Sequence, residues 1–132
     1  MSVLRLTTTH KAARNAGTLS WLDAGPQPAC LELFDGLPPS APESVHPANL
    51  LGRIELQKPA GVLVGAALSL RASGDGMALL TGLVGWARIV NGAGEVAGDG
   101  LCTDAEGAGP FRLSALQLYQ GGTVRLVSAV LG

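Results

Sequence analysis

Hydrophobic and polar positions alternate cleanly at two places in this chain. From Leu51 to Gln57, Ile54 and Leu56 oppose Arg53, Glu55 and Gln57, which is the period of a strand with one wet face. From Thr81 to Val90, Trp86, Arg88 and Val90 fall on one face and Gly85, Ala87 and Ile89 on the other. Asn91-Gly92 follows and predicts a hairpin, because both residues tolerate positive φ. Ala29 to Phe34 reads as another strand, closed by Asp35-Gly36. Pro59-Ala60-Gly61 is expected to end the strand before it, and Val62 to Leu70 gives a second apolar stretch, too interrupted by glycine for a helix. Ser73 to Gly76, Gly98 to Gly100 and Gly107 to Gly109 read as turns, with a strand after Pro110. Gln117 to Tyr119, Gly121-Gly122 and Thr123 to Leu131 predict a final hairpin.

Only the N-terminal region has a helical pattern. Residues 1–8 read as an extended arm. Thr9 supplies a cap, and Ala12, Ala16, Leu19 and Leu22 lie near one face of a helix over 9–24. Gly25-Pro26 stops it, since glycine suits the left-handed cap and proline cannot continue a helix. Between Leu37 and Pro47 lie Pro38, Pro39, Pro42 and Pro47, a stiff extended loop with few ladder donors. Short strands at roughly ten-residue intervals with glycine turns predict a mainly β fold. The expected form is an antiparallel β-sandwich or jelly roll with one short helix, a single domain over 9–132.

Composition sharpens this picture. Of 132 residues 47% are hydrophobic and only 14% are charged, where soluble domains average roughly a quarter. So few charges leave surface to be covered by partners or by small residues, and burial against other subunits is the favoured explanation. Nine Lys and Arg against ten Asp and Glu give a net charge of −1, with the cations scattered singly. No basic stripe exists to displace counterions, so a nucleic-acid partner is not expected. The apolar run from Ala60 to Leu70 is far shorter than the roughly 20 residues that cross a bilayer, and no signal-peptide design opens the chain. A protein made in the cytoplasm and not integral to a membrane is expected.

Candidate chemistry is sparse. His10 and His46 have no partner at metal-ligand spacing, and no nucleophile elbow accompanies Ser20 or Ser73. The Gly-Asp-Gly segments at Asp75 and Asp99 supply one acid each where a calcium loop needs several oxygens; Asp99, Asp104 and Glu106 form the densest acidic patch. No catalytic residue, cofactor or metal site is expected. Cys30 and Cys102 favour two buried thiols over a bridge. Trp21, Trp86 and Tyr119 are the large amphipathic aromatics. Trp86 is read as core or subunit interface, and Trp21 as packing the helix onto the sheet. Arg88, on the face of Trp86, is placed to stack or pair across an interface, with a solvated or simple salt-bridged arginine an equally weighted reading. The interface candidates are therefore Trp21, Pro38, Pro39, Pro42, Trp86, Arg88 and Tyr119.

The order of these features resembles a family of small phage virion structural proteins. The segments that carry the resemblance are Leu22 to Gly25, Leu31 to Gly36 followed by Pro38, and Asn49 to Leu51 leading to Leu56. Gly82 to Val90, Asn91-Gly92, Val96 to Gly100 and Gly121 to Val127 complete it. Phe34 stands where the family has tyrosine, and 109–113 where a polar, Asp-bearing segment is usual. The resemblance implies a virion component and not an enzyme. The expected role is a decoration or cement subunit on the capsid exterior, partnered by itself as dimer or trimer and by the major capsid protein. A tail, neck or baseplate protein is the first alternative. A carbohydrate-binding module using Trp21, Trp86 or Tyr119 is the second.

Overall fold

The computed structural model describes residues 5–42 and 46–132. Residues 1–4 of the expected arm and 43–45 of the proline loop lie outside the described residues. Helix α1 spans Thr8–Leu22, and its N-cap is Thr7, whose hydroxyl accepts from the His10 N–H at 3.1 Å. The cap expected at Thr9 thus lies two residues upstream, because Thr7 has the extended backbone that a cap requires. The helix ends at Leu22, short of the expected Ala24, and Gly25 takes a φ of 96° beyond it.

The helix packs through Leu22 and Leu19 of the face its periodicity suggested, but not through Ala16, and adds a buried Asn15. Leu22 and Asn15 are its buried positions, whereas Ala16 is exposed and Trp21 is 39% exposed. Asn15 Nδ2 donates to the carbonyls of Ala66 at 2.7 Å and Leu131 at 3.3 Å. A buried amide so satisfied gives direction to the docking, which an apolar contact alone does not. The Asp23 carboxylate accepts from the Ala60 N–H at 2.9 Å, and Lys58 Nζ donates to the Gly25 carbonyl at 2.9 Å. The helix C-terminus is therefore tied to the following sheet.

The strands are β1 (Cys30–Asp35), β2 (Leu50–Val64), β3 (Ala67–Ala72), β4 (Gly76–Ala78) and β5 (Gly82–Val90). They continue with β6 (Val96–Asp104), β7 (Phe111–Leu113), β8 (Gln117–Leu118), β9 (Thr123–Val124) and β10 (Leu126–Leu131). The protein is mainly β with one short helix. Pairing runs β1-β5-β6-β7-β10-β3-β2 and returns to β1, so seven strands close into a barrel. Strands β4 and β9 extend from β2, and β8 pairs with β5. The sandwich or jelly roll expected from strand spacing takes the form of this barrel because β1 is hydrogen-bonded on both edges. One pair, β6 with β7, is parallel. Leu31, Leu33, Ile54, Leu56, Leu68, Ala87, Phe111, Leu113 and Ala129 are among the buried core residues, joined by Leu22 from the helix.

Four local expectations change. Strand β2 continues through Pro59 to Val64; its pairing with β1 ends at Glu55, and its register with β3 skips from Leu56 to Gly61. Pro59, joined to Lys58 by a cis peptide bond, sits where no ladder donor is required. The turn after β5 is wider than a two-residue Asn-Gly turn. The Asn91 side chain accepts from the N–H groups of Ala93 and Glu95, and the positive φ falls at Gly94 (85°). Gly98 to Gly100 is not a turn but the middle of β6, in register with Ile89, Arg88 and Ala87. Gly121-Gly122 does turn the chain, yet the legs do not pair with each other: β8 joins β5 and β9 joins β4.

The helix–barrel corner depends on Gly92. Its N–H donates to the Leu22 carbonyl at 3.2 Å, and an added Cβ would run into the carbonyl oxygens of Gln27 and Ala24. Gly98 has open space around the same position. Gly92→Ala is expected to lower stability by about 1–3 kcal/mol through overpacking. Gly98→Ala should change it by less than about 0.5 kcal/mol. Urea denaturation midpoints of the two variants decide this.

Candidate functional site

The outward face of β1 and β5 carries a second, smaller hydrophobic cluster outside the barrel. Phe34 and Trp86 are register partners and stack with ring centroids 4.5 Å apart. His46, from the proline-rich segment, meets both rings edge-on at 4.7 and 5.0 Å. Trp86 is 0% exposed, and its Nε1–H donates to the Asp35 carbonyl at 3.0 Å. The base of the loop is pinned as well. The Asp35 carboxylate accepts from the side chain of Asn49 at 2.9 Å and from its backbone N–H at 2.8 Å. These bonds, the side-chain one foremost, hold the Asp35 carboxyl below its ordinary value. The described part of the proline segment therefore returns onto the wall of its own barrel.

Next to this cluster, Arg88 and Asp99 face each other across β5 and β6. The contact is bidentate, Nε to Oδ1 at 2.7 Å and Nη2 to Oδ2 at 3.0 Å. Both side chains are buried, and the guanidinium carbon lies 5.2 Å from the centre of the Trp86 ring. The fork geometry matches a planar carboxylate and a π face at once. Asp99 is thereby committed to Arg88. Asp104 accepts from the Glu106 N–H within its own turn. Among the described residues no group of three or more His, Cys, Asp or Glu is placed to hold a metal ion. Nor is any helix long and apolar enough to cross a membrane.

Both cysteines are free and buried. Arg53 Nη2 donates to Cys30 Sγ at 3.3 Å, and this contact is the main cause of the raised Arg53 pKa. Cys102 faces the core, and burial pushes its thiol up to about 12.

One surface open to partners is the barrel end opposite the helix. Strand β1 runs from the helix side towards Asp35, and β5 runs back from Gly82 to Val90, after which Gly92 bonds to the helix. At the far end Leu79 and Leu80 donate backbone N–H groups to the Leu51 carbonyl. Thr81 accepts from the Gln120 N–H, and Gly82 and Leu83 pair with Leu118 and Gln117. Three stretches without a charged residue meet here: 36–42, 76–87 and 113–124. Their projecting side chains are Leu37 (82% exposed), Leu79, Leu80, Leu83 (60%) and Tyr119 (68%). Leu37 and Leu83 flank an open groove of about 600 Å³ with Pro47 and Ala48.

The structure thus separates the expected interface residues. Tyr119 lies on the charge-poor end and Trp21 is half-exposed on the helix, at the opposite end. Pro38 and Pro39 are half-buried and Pro42 is exposed in the loop. Trp86 and Arg88 are buried within the chain itself, which is the core alternative for Trp86. Leu37, Leu79, Leu80 and Leu83 were not singled out by motif or aromatic content. Their signal was the absence of charge over the three stretches that converge on them.

One stability prediction concerns the outer wall and one the core. Asp99→Asn removes the carboxylate that grips the buried Arg88 guanidinium at two points and should cost about 3–5 kcal/mol in denaturant titration. For Cys102 the folded pKa lies above the ordinary thiol value of 9.0. The contribution of the neutral thiol is thus complete below about pH 9 and is lost as pH rises towards 12. Cys102→Val should flatten that part of the stability–pH profile relative to the parent protein.

Compared with known proteins, the chain matches no family model, no curated protein and no solved structure.

Proposed function

We propose that this chain is a capsid-associated structural subunit, a decoration or cement protein that oligomerises and binds the outside of a phage head shell. The observation that carries this reading is the charge-poor barrel end, where Leu37, Leu79, Leu80, Leu83 and Tyr119 are exposed together. A surface of this kind is costly to leave in water and suits burial against a protein face. Tyrosine is a common anchor in such interfaces because it contributes large area at little rotamer cost. Repetition over a lattice multiplies weak contacts, so a modest patch on each subunit suffices. The resemblance of the order of sequence segments to small phage virion proteins supports the same reading. A sugar-binding role would fall to Tyr119 or Trp21, which occupy opposite ends of the barrel, because Trp86 presents no face to solvent.

Co-sedimentation with purified empty shells tests the proposal. The parent protein should pellet with shells at a ratio comparable to the major capsid protein. The double variant Leu83→Asp, Tyr119→Asp should bind at least tenfold more weakly, a loss of about 1.4 kcal/mol or more, with an unchanged thermal transition. A folded parent protein that stays monomeric and ignores shells would sink the reading. A few copies per particle, instead of shell stoichiometry, would move it to the tail or neck.

A further inference from the structure

The barrel is closed least completely between β3 and β10. Only Val130 with Ser69 and Leu131 with Leu68 pair across this seam. Beyond them the strands part around a groove of about 370 Å³, with Leu70, Arg71 and Asp75 on one side and Arg125, Leu126 and Ser128 on the other. Each wall makes its strand ladder on its far edge, and Gln57, which also lines the groove, donates Nε2 to the Ala72 carbonyl at 3.2 Å. Leu70 and Ala72 pair with Gly61 and Leu56 of β2, while Leu126 and Ser128 pair with Leu113 and Arg112 of β7. Two strand edges therefore face each other across the groove with their pairing ended. Such edges are a template for an added extended segment, which supplies the missing main-chain partners.

The groove also has a sign. Arg71 and Arg125 are exposed on opposite walls. Among the described residues neither guanidinium takes part in an ion pair, and Asp75 is the one acid in the lining. We infer that the β3–β10 seam is a docking groove for an extended, carboxylate-bearing segment of a partner protein, bound as an additional strand. Main-chain bonds to the two edges would hold it, and glutamate or aspartate side chains would meet Arg71 and Arg125. The leading residues of this chain itself fit poorly, because they carry Arg5 and no acid. A second copy joined at the same seam would set arginine against arginine. Peptide binding needs no particle, so its outcome is independent of shell binding.

Fluorescence anisotropy with an end-capped peptide of alternating valine and glutamate tests this on the full chain. Saturable binding is expected, weakening as salt rises. The lysine counterpart of the peptide, and a version N-methylated at alternate amides, should each bind at least tenfold more weakly. Arg71→Glu with Arg125→Glu should reverse the preference towards the lysine peptide. Both side chains are exposed, so circular dichroism should show the parent fold. Should that variant not fold, the salt and N-methylation comparisons on the parent protein still decide. The inference is overturned if the parent protein does not bind the glutamate peptide or binds the N-methylated or lysine peptide equally well. It is also overturned if sedimentation shows the seam occupied by a second copy, with the dimer lost in the double variant.

Discussion

Every other strand of this protein takes its place from β1, the short segment Cys30–Asp35 paired on one edge with β2 and on the other with β5. Alternation along it sends Leu31 and Leu33 into the barrel and leaves Cys30, Glu32 and Phe34 on the outer wall. Both leucines are 0% exposed, worth about 1.5–3 kcal/mol each for full burial. A slip of one residue would place Glu32 in the core and both leucines outside. The same register lines up Arg53, Glu32, Arg88 and Asp99 across four neighbouring strands. Cations and anions alternate along that row, so like charges are not directly opposed.

With β1 fixed, the molecule divides into regions with different surfaces. One end is closed by the helix and fastened by polar contacts through Asn15, Asp23 and Lys58. The outer wall has its own layer, in which Phe34, Trp86 and His46 pack against each other and Arg88 is held by Asp99. The opposite end gathers the uncharged stretches. Both proposed contacts, the apolar end and the seam between β3 and β10, lie away from the two well-packed layers.

Much of the secondary structure was legible in the sequence. The alternation around Ile54 and Leu56 and around Trp86 and Arg88 marks β2 and β5. Gly25-Pro26 marks the end of the helical region, although the helix itself ends at Leu22. The errors share a cause. Pro59, Gly98 to Gly100 and Gly121-Gly122 all carry strong local turn or breaker signals, and in each case the partner strand decided what the segment does. A proline is harmless where its edge has no partner. A glycine pair inside β6 is held straight by its ladder to β5, and a tight turn need not join strands that pair with each other. Pairing is a property of segments far apart in sequence, so no local signal contains it.

The candidate surfaces divide in the same way. The sequence by itself determined that the protein is β-rich, poor in charge, and carries several long stretches without a charged residue. Those properties depend on composition and on side-chain period, which any fold of this chain must respect. Only the tertiary structure decided that Trp86 is sealed beneath Phe34 and His46, and that Arg88 serves Asp99 instead of a partner. It alone brought Leu37, Leu83 and Tyr119 to one end, because closing the barrel through β1 joins segments that lie some tens of residues apart. Exposure is set by what lands next to a side chain, and that neighbour is chosen by closure of the sheet.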